Sequence, residues 1–266
     1  VGDAEFEKWT AQLNEELKGL ELSAYLGRIT MADETYVNGT LIGNTGFFTD
    51  FTDYHCHILP GVDDGVKTME DSLAILKRYE GLGVKNVWFT PHIMEDNPNK
   101  TDDLRKRFEE LKQAYAETEP SEGAEKLNLN LAAEYMMDSL YEKRLEAKDI
   151  LTLEEDDQVL VETSYYNPPM DLMGILKRTK SKGYFPILAH PERYMYMQER
   201  DYEQLKKLGV CFQLNLGSLS NGYGSHVRKK AISMLKKGWY EYRGTDCHRM
   251  TMIDMIMSAK LPKVLI

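Results

Sequence analysis

The stretch Tyr54-His55-Cys56-His57-Ile58-Leu59-Pro60-Gly61-Val62-Asp63-Asp64-Gly65 begins as a strand, Tyr54–Leu59, and runs into an acidic pair. Side chains on a strand alternate between its two faces, so His55 and His57, at i and i+2, point the same way and can grip one metal ion. Asp63 and Asp64 add carboxylates after the same strand. Working outward, short apolar runs recur at Val84–Pro91, Leu127–Glu134, Val159–Thr163, Phe185–Ala189, Val210–Leu216 and Glu241–Thr245. Most are rich in Val, Leu, Ile and aromatics, as buried parallel strands should be. Amphipathic stretches lie between them. Thr68 can cap a helix running to about Leu82, with Gly83 ending it, and Thr101 can cap another with Leu104, Phe108, Leu111 and Tyr115 on one stripe. Further helices are predicted over Pro169–Lys182, Asp201–Leu208, Gly224–Lys237 and Met250–Lys260. Seven strands alternating with helices predict an α/β fold, either a (β/α) barrel or a doubly wound sheet.

Residues 1–50 read differently. Phe6, Trp9, Leu13 and Leu17 form one helical face, and Asn38-Gly39, between Thr35-Tyr36-Val37 and Thr40-Leu41-Ile42, is a two-residue hairpin signal. The expected organisation is an N-terminal extension over 1–50, a helix plus a hairpin that packs without chemistry, followed by a catalytic domain over 51–266.

Composition narrows the function classes. The 266 residues suffice for one large domain, and 42% hydrophobic with 29% charged residues is ordinary for a globular chain. A net charge of −10 leaves no electrostatic footprint for wrapping nucleic acid and suits a carboxylate-rich metal site. The three cysteines, odd in number and widely spaced, argue against a disulfide framework and for a reducing, cytoplasmic compartment. No run of ~18 apolar residues predicts a membrane span, and Val1–Glu5 does not open a signal peptide. A cysteine-dependent phosphatase needs Arg six positions after its thiolate. From Cys56, Cys211 and Cys247 those positions hold Val62, Gly217 and Ile253, so that chemistry is excluded. No Gly-x-Ser-x-Gly elbow or Walker-type phosphate loop is present either.

The histidines carry the positive signal. Of six, five fall at or just after the C-terminal ends of predicted strands: His55, His57, His92, His190 and His248. Glu134, Glu162 and Asp246 end other strands, and Asp246 pairs with His248 as His55 pairs with His57. In parallel α/β folds that edge is where active sites are built. A donor set of imidazole and carboxylate without thiolate suits Mn²⁺, Fe or Zn²⁺.

The series His55 to Gly65, Thr90-Pro91-His92, Ala133-Glu134, Val161-Glu162, Ala189-His190-Pro191-Glu192-Arg193-Tyr194 and Thr245-Asp246-Cys247-His248 resembles, in order, the motifs of the polymerase-and-histidinol-phosphatase (PHP) superfamily. Within it, the series most resembles the bacterial protein-tyrosine phosphatases of the capsule and exopolysaccharide type. The resemblance covers about residues 53–250. It implies a distorted (β/α)₇ barrel around three divalent metal ions, manganese first, with iron or zinc as alternatives. It implies His55, His57, Glu134 and Asp246 on one metal, and Glu134, Glu162 and His190 on a second, with Glu134 bridging. Asp64, His92 and His248 would hold the third. Asp64 stands where several other PHP enzymes carry a histidine, which favours the phosphatase branch. The implied partner is a phosphotyrosine-bearing protein, the Tyr-rich tail of a tyrosine autokinase controlling polysaccharide export. After His248 the family often places another Arg several positions on. Here Met255 stands about there, and Arg249 is the nearest basic residue.

The expected reaction is metal-assisted hydrolysis of a phosphomonoester with in-line attack and departure of a phenolate. Arg193, three residues after His190, is the candidate for the phosphoryl oxygens, because guanidinium suits bidentate phosphate contact. An ion pair with Glu192 is its structural alternative. Asp64 and His248 complete the catalytic candidates. Tyr165, Tyr166, Tyr194 and Tyr196 either line an aryl pocket or sit in rim and core. A histidinol-phosphatase-like enzyme, a PHP phosphodiesterase or exonuclease, and a non-catalytic phosphotyrosine-tail binding module are the rivals.

Overall fold

Runs such as Val159-Leu160-Val161 and Ile187-Leu188-Ala189 are buried on both faces, and that double burial is what selects parallel pairing for them. A computed structural model describes residues 36–153 and 157–265 of the protein. In chain order it contains β1 (Tyr36–Leu41), β2 (Thr52–Cys56), α1 (Met69–Leu82), β3 (Asn86–Phe89), β4 (His92–Ile93) and α2 (Thr101–Ala116). Then come β5 (Asn128–Leu131), β6 (Glu134–Met136), α3 (Ser139–Ala147), β7 (Gln158–Glu162), α4 (Leu172–Ser181) and β8 (Phe185–Ala189). The chain ends with α5 (Glu199–Leu208), β9 (Cys211–Asn215), α6 (Ser225–Lys236), β10 (Tyr242–Gly244), α7 (Met250–Met257) and β11 (Lys260–Pro262).

The larger compact unit runs from Leu41 to Lys260. Its strands form a six-stranded sheet in the order β10-β9-β8-β7-β6-β4 and a three-stranded sheet in the order β2-β3-β5. Every pairing with a resolved register in these sheets is parallel. The sheet curls so that β2 approaches the chain after β10, where Asp246 N–H donates to the His55 carbonyl (2.7 Å) and His57 N–H to the Cys247 carbonyl (2.9 Å). Ala132, Leu153, Leu160, Ile187 and Ala189 form a core cluster against these strands.

Two predicted strands end early and a second short strand follows each. Val84–Pro91 stops at Phe89, since Pro91 has no N–H to give the ladder, and β4 begins just past it at His92. Leu127–Glu134 stops at Leu131, and β6 begins at its last residue, Glu134. The breaks transfer pairing from one sheet to the other, since β5 pairs with β3 but β6 with β4. That register sets His92 beside Glu134, and Met136 beside Glu162.

The helices follow their caps. Thr68 accepts from Asp71 N–H at the start of α1, and Gly83 ends it in the left-handed conformation at φ 82°. Thr101 is the first residue of α2 rather than its cap, because its hydroxyl donates instead to Asp149 Oδ1 (2.5 Å). The sequence reading contains no α3; Asp138 caps it by accepting from Tyr141 N–H. α7 stops at Met257, short of the predicted Lys260, which opens β11.

Of the described residues, 36–40 and 261–265 belong to the smaller unit. Its described part includes a two-stranded sheet of β1 and β11. β1 runs unbroken through Asn38-Gly39, where the sequence predicts a hairpin turn. A partner strand from the far end of the chain takes the place of a local one, so the turn signal is overridden. The predicted helix carrying Phe6, Trp9, Leu13 and Leu17 lies outside the described residues. No helix among the described residues is long and apolar enough to cross a membrane.

Candidate metal centre

His55 and His57 emerge from the end of β2 fully buried and on one side of it. Cys56 between them points the other way, its thiol donating to the Trp88 carbonyl (3.3 Å). Burial pushes the Cys56 thiol well up and the Cys247 thiol up to about 12, so neither offers a thiolate. After β2 the chain doubles back: Val66 N–H donates to the His57 carbonyl (3.0 Å), and Asp63 accepts from Gly65 N–H (2.9 Å). A side chain at position 65 would lie 1.9 Å from the His57 carbonyl oxygen, so only glycine permits this approach. The fold-back carries Asp63 Oδ2 to 2.9 Å from His57 Nδ1.

The ring nitrogens then fall into an ordered pattern. His55 Nδ1 meets Gln213 Oε1 (2.8 Å), His57 Nδ1 meets Asp63, and His248 Nδ1 meets the Asp246 carbonyl (2.9 Å). Each acceptor holds a proton on Nδ1 and turns the Nε2 lone pair inward, as metal-bound imidazoles require. The Nε2 atoms of His55 and His57 lie 2.9 Å apart. They stand 3.1 and 3.2 Å from Glu134 Oε2, and 3.5 and 3.4 Å from Asp246 Oδ1. Two ring nitrogens and two carboxylate oxygens converging on one point need positive charge among them, protons in the metal-free protein or a metal ion in their place. The donor set therefore fits a divalent metal.

The other candidates extend the cluster. His92 Nδ1 is 3.1 Å from Glu162 Oε1 and 3.3 Å from Glu134 Oε2, and its Nε2 is 3.6 Å from Asp64 Oδ1. His190 Nε2 is 3.0 Å from Glu134 Oε1, while its buried Nδ1 has no hydrogen-bond partner. His248 Nε2 is 3.3 Å from Asp64 Oδ1. All nine residues expected to hold metal thus lie in one cluster. Their closest groupings are His55, His57 and Asp246; His55, Glu134 and His190; His92, Glu134 and Glu162; and His57, Asp64, His92 and His248. These groupings overlap the sets the resemblance implies: Glu162 reaches His92 through Oε1 (3.1 Å) and His190 through Oε2 (3.9 Å), and His57 joins the Asp64 set.

The charge balance points the same way. Burial opposes a charge on His55, yet Glu134 and Asp246 outweigh it and raise the imidazole to about 9. His92 rises to about 10 against its own burial, through Glu162 and Glu134. Burial works against the charged forms of Glu134 and Asp246 too, but the surrounding histidines hold both carboxyls below their ordinary range. The pocket selects positive charge. His190 (φ 34°) and Asp246 (φ 52°) hold left-handed backbone that costs a non-glycine residue about 1–3 kcal/mol, strain that accumulates at functional sites.

Above the cluster lies a cavity of ≈ 390 Å³ lined by Asp64, His92, Glu134, His190, Asp246 and His248 on one side. Arg193, Tyr165, Gly222, Tyr223, Arg249, Met252 and Met255 complete it. The Arg193 guanidinium is sandwiched 4.4 Å from the Tyr165 ring and 4.3 Å from the Tyr223 ring. Its ion pair is with Asp246 Oδ2 (2.9 Å) rather than with Glu192, which is buried against Tyr240 and the Asn215 amide. The tyrosines divide. Tyr165 lines the cavity, Tyr194 is core with its hydroxyl on the Ala189 carbonyl, Tyr196 is half-buried, and Tyr166 is exposed.

Three residues of the site escape the sequence reading. Gln213 anchors His55, Asn215 donates to Asp246 Oδ2 (2.7 Å), and Tyr223 backs Arg193. Gln213 and Asn215 stand at i and i+2 at the end of β9, the same alternation that marks His55 and His57. Applied to amides, it would have found them.

A curled parallel α/β sheet with a histidine–carboxylate cluster at the C-terminal edge of its strands defines a protein of the metal-centred α/β class. Within that class the chain belongs to the CpsB/CapC family of capsular polysaccharide synthesis, whose sequence model matches residues 51–258. It is 25% identical over 209 residues to the tyrosine-protein phosphatase YwqE of Bacillus subtilis, covering 74% of this chain and 77% of that protein. It is 28% identical over 206 residues to the tyrosine-protein phosphatase CpsB of Streptococcus agalactiae, covering 74% and 83%. A chain from the crystal structures of YwqE from Bacillus subtilis and CpsB from Streptococcus pneumoniae, described as unique metal-dependent tyrosine phosphatases, matches with a TM-score of 0.67. That match has 24% identity and covers 76% of this chain and 81% of the other, and it supports the fold.

Proposed function

We propose that this chain is a metal-dependent phosphomonoester hydrolase that removes phosphate from protein phosphotyrosine. Its substrate is the tail of a tyrosine autokinase, and the reaction regulates capsular or exopolysaccharide synthesis in the cytoplasm. The observation that carries the reading is one cavity with two kinds of wall: a metal-binding cluster, and an arginine held between two tyrosine rings. Relatives named tyrosine-protein phosphatase support the substrate class.

Residues 51–266 form the catalytic domain, with the curled sheet read as a distorted (β/α)₇ barrel. His55, His57, Asp64, His92, Glu134, Glu162, His190, Asp246 and His248 hold three divalent ions, manganese first, with iron or zinc as alternatives. When bound, the ions supply Lewis acidity, lowering the pKa of water and neutralising charge on the phosphoryl oxygens. Glu134 faces His55, His57, His92 and His190 at once, so it would contribute to holding more than one of the ions. Asp64 and His248 close the substrate side of the cluster and orient the attacking water. Arg193 binds the phosphoryl oxygens, and its fixed plane means little side-chain freedom is lost when it does so. Gln213, Asp63 and the Asp246 carbonyl keep the imidazoles in the binding tautomer.

The test is to strip the protein of metal, restore Mn²⁺, and assay p-nitrophenyl phosphate, a phosphotyrosine peptide and histidinol phosphate, with His190→Ala as control. Turnover of the aryl and peptide substrates, lost in the variant and insensitive to thiol blocking, is expected. Turnover of histidinol phosphate alone would move the assignment to small-molecule phosphatases. Metal binding without turnover would make the chain a phosphotyrosine-binding module.

A further inference from the structure

A second cavity, of ≈ 400 Å³, adjoins the first and shares Asp64, His248 and Arg249 with it. Its remaining wall combines apolar Val66, Ala74, Ile75 and Met250 with Lys67, Asp71 and Thr251. Its two cations are exposed, and neither is ion-paired. Lys67 Nζ donates to the Asp63 carbonyl, a neutral acceptor, and no carboxylate among the described residues pairs with Lys67 or Arg249. In a chain of net charge −10, two uncommitted cations beside a candidate active site are unexpected. Of the acidic members of the wall, Asp64 faces His248 and His92, whereas Asp71 accepts only from the neutral Thr68 hydroxyl (2.9 Å) and keeps its charge, so the two cations leave one positive charge in excess over Asp71.

We infer that this second cavity is a subsite for a glutamate or aspartate side chain of the phosphopeptide, two residues from the phosphotyrosine. The inference rests on the tyrosine-phosphatase reading. The spacing follows from dimensions. A space of ≈ 390 Å³ is on the order of 7 Å across, and two residues of extended chain span about the same distance. Side chains at i and i+2 of an extended peptide point the same way, so one enters each cavity. The methylenes of the acidic residue lie on Val66, Ile75 and Met250, and its carboxylate reaches Lys67 and Arg249. Arg249 lines both spaces, so it faces both the phosphate and the flanking acid. The pairing is solvent-accessible, which limits it to a modest preference of about threefold to tenfold.

The experiment measures the affinity of metal-loaded protein for peptides carrying a non-hydrolysable phosphonate analogue of phosphotyrosine. One set has Glu two residues before or after the analogue, and the other has Gln there. Fluorescence anisotropy gives the Kd ratio within each protein, so any partial loss of fold or metal cancels. Wild type should favour the Glu peptide by about threefold to tenfold. The ratio should fall towards one in Lys67→Gln and in Arg249→Gln, and the preference should invert to favour the Gln peptide in Lys67→Glu. Equal affinity of wild type for both peptides overturns the subsite, as does a Glu preference that survives both Gln variants. Turnover failing while the Glu preference stands would refute the phosphatase reading and leave the subsite intact.

Discussion

Replacing Gln213 by Leu keeps most of the side-chain volume and removes one acceptor, together with the Nε2–H donor to the Leu214 carbonyl (2.6 Å). Gln213 Oε1 accepts from His55 Nδ1–H (2.8 Å) and, at 3.3 Å, from the His190 amide, all of it buried. Without it, a buried imidazole N–H is left unpaired, which costs about 1–3 kcal/mol. In a domain of this size that lowers Tm by about 2–4 °C per kcal/mol. The larger effect is on metal binding. The His55 ring loses the bond that fixes its tautomer and plane, and second partners of this kind change metal affinity by about 10–100-fold. The assay is competition with a chromogenic chelator for Mn²⁺, beside thermal denaturation of the metal-free protein. Loss of affinity in that range, with only a modest fall in Tm, is expected. A variant that melts early yet binds metal within about twofold of wild type would refute the reasoning, because His55 would then hold no metal.

Arg193→Lys keeps the charge but loses the planar fork and its stacking on Tyr165 and Tyr223. kcat/KM for p-nitrophenyl phosphate should fall about 10–100-fold while bound metal is retained, and a parallel loss of metal would mean Arg193 only braces Asp246. Gly65→Ala would force a Cβ to 1.9 Å from the His57 carbonyl oxygen, and should cost at least about 1–3 kcal/mol in denaturant titration together with the metal content. The metal-free protein should lose stability as pH rises, because His55 and His92 are raised from 6.5 to about 9 and about 10. Raised imidazoles contribute fully below the unfolded value and lose that contribution through the folded one, so Tm should fall from pH 6.5 to 9. Over the same window Mn²⁺ affinity should climb as these protons leave, and a flat affinity profile would show that neither imidazole competes with metal.

How much of this site could be read from the chain depends on the residue. Side-chain alternation set His55 with His57, because a period of two is a covalent property of an extended backbone. Asp246 and His248 lie beyond β10, where the backbone of Asp246 is left-handed (φ 52°), so the turn rather than the alternation sets them together. The order of apolar runs likewise marked most of the strands, and Gly83 marked the end of α1. The break at Thr90-Pro91 was less legible. Proline announces that a ladder bond is missing, but not that β4 will cross to another sheet. The Asn38-Gly39 turn failed for the opposite reason. Its signal is local, and a distant strand outweighed it.

What only the tertiary structure decided are relations between residues far apart in sequence. Gln213 reaches His55 across 158 positions and Asn215 reaches Asp246 across 31, and amides carry no titration or motif signal to mark them. Arg193 could pair with Glu192 beside it or with something remote, and the left-handed turn at His190 and the bond from Asp246 selected the remote partner. The sequence by itself determined which donor atoms exist and on which face of each strand they stand. Curling the sheet determined which of them meet, because only closure of β2 against β10 brings ligands from both ends of the chain within reach of one ion.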